Sequence, residues 1–198
     1  MRTNLRAAQL LALAALVGLP TMLFVGLASA EAPELEAEQS QAEPQQLQHV
    51  RVCLAPMSFD WLAQRADAVV RGRIATRTPV FAQDDRVIPV THYLLEVVDP
   101  IKGDVGEVVE FLIAGAQTAT RSFNVENAPQ LQVGDEYALF LQASPDRQRW
   151  GVLGLTYGTF RVSGQGSTAR VSGASLAGPE SVFEFKNRVL RAVEAGDH

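Results

Sequence analysis

The sequence predicts a mainly β domain: a small antiparallel barrel of five or six strands, with a short helix before it and an amphipathic helix after it. Three observations carry this expectation. Six stretches rich in β-branched and aromatic residues are bounded by Gly, Pro or Asp signals. They follow one another at short spacing, which suits a small barrel better than a βαβ sheet. Seven of the 15 glycines fall between Gly151 and Gly178, where the bends and bulges of a closed sheet would sit.

The chain opens with Arg2 and Arg6, a long apolar run from Leu10 to Leu27 and the small-residue ending Ala28-Ser29-Ala30. That is the order of parts in a secretory signal peptide, so cleavage after Ala30 and a secreted or periplasmic protein are expected. The run approaches the length of a membrane span, but Gly18, Pro20 and Gly26 interrupt it; a membrane is involved only if the segment is retained. Residues 31–48 hold five glutamates, no base, and only Leu35 and Leu47 as large apolar groups. Such a segment buries too little surface to offset the entropy of ordering and reads as an acidic, Gln/Glu-rich flexible tether. Residues 49–198 are left as the folded domain.

Within it, residues 57–66 have the spacing of a short helix, with Ser58 as N-cap and Phe59, Leu62, Ala63 and Ala66 on one side. The strand-type stretches are Ala68–Thr76, Val90–Val98, Glu107–Ile113, Glu136–Gln142, Trp150–Leu155 and Thr159–Ser163. Alternation assigns Tyr93, Leu95 and Val97, then Val109, Phe111 and Ile113, then Tyr137, Leu139 and Leu141 to one core face, and Phe160 is expected to join them. Ser163–Ser167 reads as a hairpin turn into Thr168–Val171. Pro179–Ala195 reads as a helix with Pro179 in its first turn, Val182, Phe185 or Lys186, Val189 and Val193 on one side, and Gly196 as its stop.

Charge and composition narrow the function. The full chain has 17 Lys+Arg against 22 Asp+Glu, and loss of residues 1–30 leaves 15 against 22. An acidic, exported domain is a poor match to a nucleic-acid groove, which needs basic and stacking residues. A single cysteine rules out an intramolecular disulfide. The histidines are His49, His92 and His198, and they form no ligand spacing typical of a metal site, so no metal or other cofactor is expected. Asp84, Asp85, Asp99 and Asp104 lack the order of a Ca²⁺ loop and read as solvating loop carboxylates. No G-x-S-x-G elbow occurs, and a triad would have to recruit His92 from a strand. No catalytic residue is therefore assigned. The long polar stretch Ala114–Gln130 is the most suggestive loop, with Phe123 as a binding anchor if exposed and as part of an extra edge strand if buried.

One set of strings, in this order, is similar to a known group: Cys53-x-x-Pro56, a short helix, Ala66-Asp67-Ala68-Val69-Val70-Arg71-Gly72, Tyr93-x-x-Glu96-Val97 leading to Ile101-Lys102-Gly103, Gly134-Asp135-Glu136-Tyr137-Ala138-Leu139-Phe140-Leu141, and Gly154 to Val162. Over residues 53–163 the chain resembles the inhibitory domain of tissue inhibitors of metalloproteinases and the wider netrin-like group, including secreted bacterial domains of that plan. The resemblance implies an OB-type barrel and a protein partner, with a metalloprotease as the partner class. It also implies a contact edge at Cys53, Leu54, Ala55 and Pro56. In the animal inhibitors the first cysteine chelates the protease zinc through a free amine. Here Cys53 lies 22 residues inside a chain beginning at Glu31, so chelation does not carry over. The expected function is an exported, non-enzymatic protein-binding module. The alternatives are an envelope hydrolase using His92 and a structural envelope protein.

Overall fold

A computed structural model of the chain describes residues 46–51, 54–82, 87–145 and 149–196. The signal segment, the tether up to residue 45, Cys53, Asp84, Asp85 and His198 lie outside the described residues. A first strand, β1 (Gln46–Val50), takes in the last three residues of the expected tether. Helix α1 (Phe59–Arg65) begins at its expected cap, where the Ser58 hydroxyl accepts from the Trp61 amide. The chain continues through β2 (Ala68–Val80), β3 (Val90–Lys102), β4 (Val108–Ala114), β5 (Ala116–Gln117), β6 (Arg121–Val125), β7 (Glu136–Ala143), β8 (Trp150–Val152), β9 (Thr159–Ser163), β10 (Arg170–Gly173) and β11 (Glu180–Ser181), and ends in α2 (Val182–Gly196).

Five strands close a barrel in the order β7-β2-β3-β4-β8-β7. All neighbours are antiparallel except β4 and β8, which run parallel with Phe111 opposite Trp150. This is the ring order of the OB fold, and each of the five strands overlaps a stretch that its β-branched and aromatic residues marked in the sequence. The long hairpin of β2 and β3 bends through register shifts at Val69/Val70, Arg71/Gly72 and Ile74/Thr76. Gly72 sits at the second of these, where a β-carbon would collide with the Glu96 carbonyl oxygen. Beyond the barrel, β7 also pairs with β9, and β9, β10 and β11 continue the sheet outward. A separate three-stranded sheet is formed by β1, β6 and β5.

Two apolar cores result. The barrel interior holds Val70, Ile74, Tyr93, Leu95, Val109, Phe111, Ile113, Tyr137, Leu139 and Leu141, with Tyr93 stacked on Phe111 at 5.4 Å between ring centroids. The second core lies between the β7–β9–β10 face and the two helices. There Phe59, Phe140, Phe160 and Phe185 meet with centroids 5.0 to 6.2 Å apart. Phe160 thus departs from the expected barrel core, because β9 pairs with β7 outside the ring and turns its apolar face to the helices. The neighbouring Phe140 lies under the helices, as its opposite parity to Leu139 requires.

Motif residues supply joints between these layers. Lys102 Nζ donates to the carbonyls of Ala63, Gln64 and Ala66 at 3.0, 3.0 and 2.6 Å, covering the C-terminal end of α1. Gly103 follows at φ +78°, the turn its sequence position suggests. Asp67 closes the helix-to-strand junction by accepting from the Ala143 amide at 2.9 Å. Asp99, expected to solvate a loop, instead lies in β3 and pairs with Lys186 of α2 at 2.8 Å. Pro179 is not in the first turn of α2, since β11 intervenes. Ser181 caps that helix: Glu184 N donates to its hydroxyl, and its own amide and hydroxyl donate to the Glu184 carboxylate. The S-x-x-E signal Ser181–Glu184 would have located the start.

Candidate functional site

Strands β5 and β6 occupy the stretch read as a long loop, and with β1 they form a sheet that borders the mouth of the barrel. Phe123 lies in the middle of β6, opposite Gln48 of β1 and Ala116 of β5, and is half-buried. It is a strand residue whose ring lines a cavity of about 90 Å³. Two contacts tie the approach to this sheet onto the barrel. Thr91, 3% exposed, donates its hydroxyl to the Gly115 carbonyl at 2.7 Å, and the Gly115 amide donates to the Pro89 carbonyl at 2.7 Å. From β6, the Arg121 guanidinium stacks over the Phe81 ring at 4.5 Å.

The same cavity is lined by Arg77 from β2, Tyr93 from β3 and Ile113 from β4. Arg77 was not picked out by the sequence, for a physical reason. Simple alternation from the buried Ile74 would turn Thr76 and Thr78 inward. The register shift between Ile74 and Thr76 changes the parity, pairs Arg77 with Tyr93 and turns the guanidinium toward the barrel mouth.

The second expected surface precedes α1. Leu54 is half-buried, and Ala55 and Pro56 are exposed. Cys53 itself lies outside the described residues. The segment starts from the end of β1, whose Val50 carbonyl accepts from the Glu126 amide at 2.9 Å. It runs on to Met57, which packs by Gly154. Phe123 and Leu54–Pro56 are thus linked through β1: one sits beside that strand and the other follows it.

His92 lies on the outer face of the β3–β4 pair, with Nδ1 3.1 Å from Glu110 Oε1 and both side chains well exposed. Groups with displaced titration lie away from the barrel mouth. Burial pushes the Tyr137 phenol and the Glu180 carboxyl up, and the hydrogen bonds from Ser181 hold Glu184 below the usual glutamate range. Among the described residues there is no group of three or more His, Cys, Asp or Glu side chains that could hold a metal ion, and no helix long and apolar enough to cross a membrane. No protein-family profile matches the chain, and no curated protein matches it in sequence.

Proposed function

We propose that this chain is an exported, non-enzymatic binding module that meets a protein partner along β1 and the segment Leu54–Pro56. The observation that carries the reading is the strand edge: β1 is hydrogen-bonded to β6 on one side and pairs with no other strand among the described residues. An open edge offers unpaired backbone donors and acceptors to an extended segment of another protein. The edge leads toward exposed Ala55 and Pro56, and the fixed φ of Pro56 lowers the ordering cost of a contact there. The netrin-like resemblance supports a metalloprotease as the partner class. Without a free amine at Cys53, such contact would be made without zinc chelation.

The test is a titration of a zinc metalloprotease with the chain beginning at Glu31. The expected outcome is a weak complex that Pro56→Gly loosens about tenfold and Cys53→Ser leaves unchanged. Tight inhibition by that chain would overturn the argument against chelation, and absence of any complex would remove the protease as partner. A hydrolytic reading rests on the His92–Glu110 pair, since the carboxylate could orient the imidazole. It requires His92→Ala to abolish an activity in a variant that stays folded, whereas a binding module loses nothing.

A further inference from the structure

We propose that the cavity at the barrel mouth is a binding site for a carboxylate group, gripped by Arg77. The inference stands apart from the choice of protein partner, because it rests on the cavity and not on β1. Arg77 is the single charged residue among the described residues that line the cavity. Its Nε is buried and has no hydrogen-bond partner, and none of the ion pairs among the described residues involves its guanidinium. A buried N–H left without an acceptor is costly, so an anion that enters supplies the partner this nitrogen lacks.

The rest of the lining selects the kind of anion. Tyr93, Ile113 and Phe123 give apolar walls, while Gln117, Asn124 and Gln130 bring neutral amides. Asn124 Oδ1 accepts from the Ser122 hydroxyl at 3.3 Å, which leaves its NH₂ group to donate elsewhere. One guanidinium matches one carboxylate in a planar two-bond pair, whereas a phosphate dianion would call for a second cation. The volume of about 90 Å³ equals roughly three waters of liquid. That is room for a carboxylate with a short aliphatic stub and too little for a drug-sized ligand. A free short-chain acid and the C-terminal carboxylate of a peptide both offer this chemistry.

The experiment follows amide shifts of the ¹⁵N-labelled chain as butyrate, inorganic phosphate, or a short peptide with a free or an amidated C-terminus is added. Butyrate is expected to shift Gly115 and Asn124, with affinity at least tenfold weaker in Arg77→Gln and intermediate in Arg77→Lys. It should also raise the melting temperature of the natural chain and not that of Arg77→Gln. Binding confined to the peptide with a free C-terminus would keep the carboxylate and assign it to a protein source. Ala128→Leu, which fills the cavity and leaves Arg77 in place, should block binding as well and guards against a folding defect in the arginine variants. Equal binding in Arg77→Gln, phosphate binding tighter than butyrate, or no carboxylate binding at all would overturn the proposal.

Discussion

The two cores of this molecule are held together in different ways. The barrel interior is lined by strands that are each paired to their neighbours in the ring, so most of its apolar residues sit on a ladder of backbone hydrogen bonds. The aromatic core joins Phe59, Phe140, Phe160 and Phe185 from two helices and two strands, and α1 and α2 are attached to the sheet chiefly through side chains. Strand β7 belongs to both, with Tyr137, Leu139 and Leu141 facing the barrel and Ala138 and Phe140 facing the helices. The contrast teaches that the barrel is specified by pairing and the helical layer by packing. Damage to the two should spread differently.

Phe160→Ala tests this most severely. Loss of a ring that touches the other three aromatics should cost about 3–5 kcal/mol. Hydrogen exchange should show α1 and α2 losing protection while β2, β3 and β4 keep theirs; equal loss in both regions would erase the distinction. Leu139→Ala, in the barrel, should cost about 2–5 kcal/mol and lower protection throughout, and a denaturant midpoint shift worth less than half a kcal/mol would place Leu139 outside the core.

Smaller effects probe the joints. Lys102→Met removes the ammonium that meets three carbonyls at the end of α1, and about 1 kcal/mol should be lost in urea unfolding, with α1 fraying first. Ser181→Ala should cost about 1 kcal/mol through the cap of α2. The same cap sets a pH dependence. Glu184 is held below the usual glutamate value, so its contribution is present above that value and is lost as pH falls through the depressed one. Glu180, raised by burial, acts in the opposite sense: the folded state loses stability as pH rises from the usual value through the raised one. Melting curves of Glu184→Gln against the natural chain should therefore converge in acid and separate at neutral pH. Glu180→Gln should be at least as stable as the natural chain at pH 7.

Much of the fold was legible because hydrophobic alternation and turn chemistry are local. The Ser58 cap, the three inward-facing triplets, the β9–β10 hairpin and the terminal helix all follow from residues within a few positions of one another. The assignment of Phe160 to the barrel failed because alternation tells which residues share a face and not which body that face meets. The candidate site was less legible. Phe123 could be named from the length of its loop, but strand β6 is stabilised by β1, some 75 residues earlier, a pairing no local pattern announces.

By itself, then, the sequence determined the class of fold, where along the chain the five barrel strands lie and three inward-facing triplets on them, since burial on a pleated strand leaves a period of two. Only the tertiary structure decided that β4 and β8 close the ring in parallel, that β9 leaves it to build a second core, and that Arg77 looks into the barrel mouth. The reason is the same in each case. A bulge or a shared strand edge changes facing and partnership through contacts distant in the chain, and one extra residue in a ladder reverses the parity on which any reading of alternation depends.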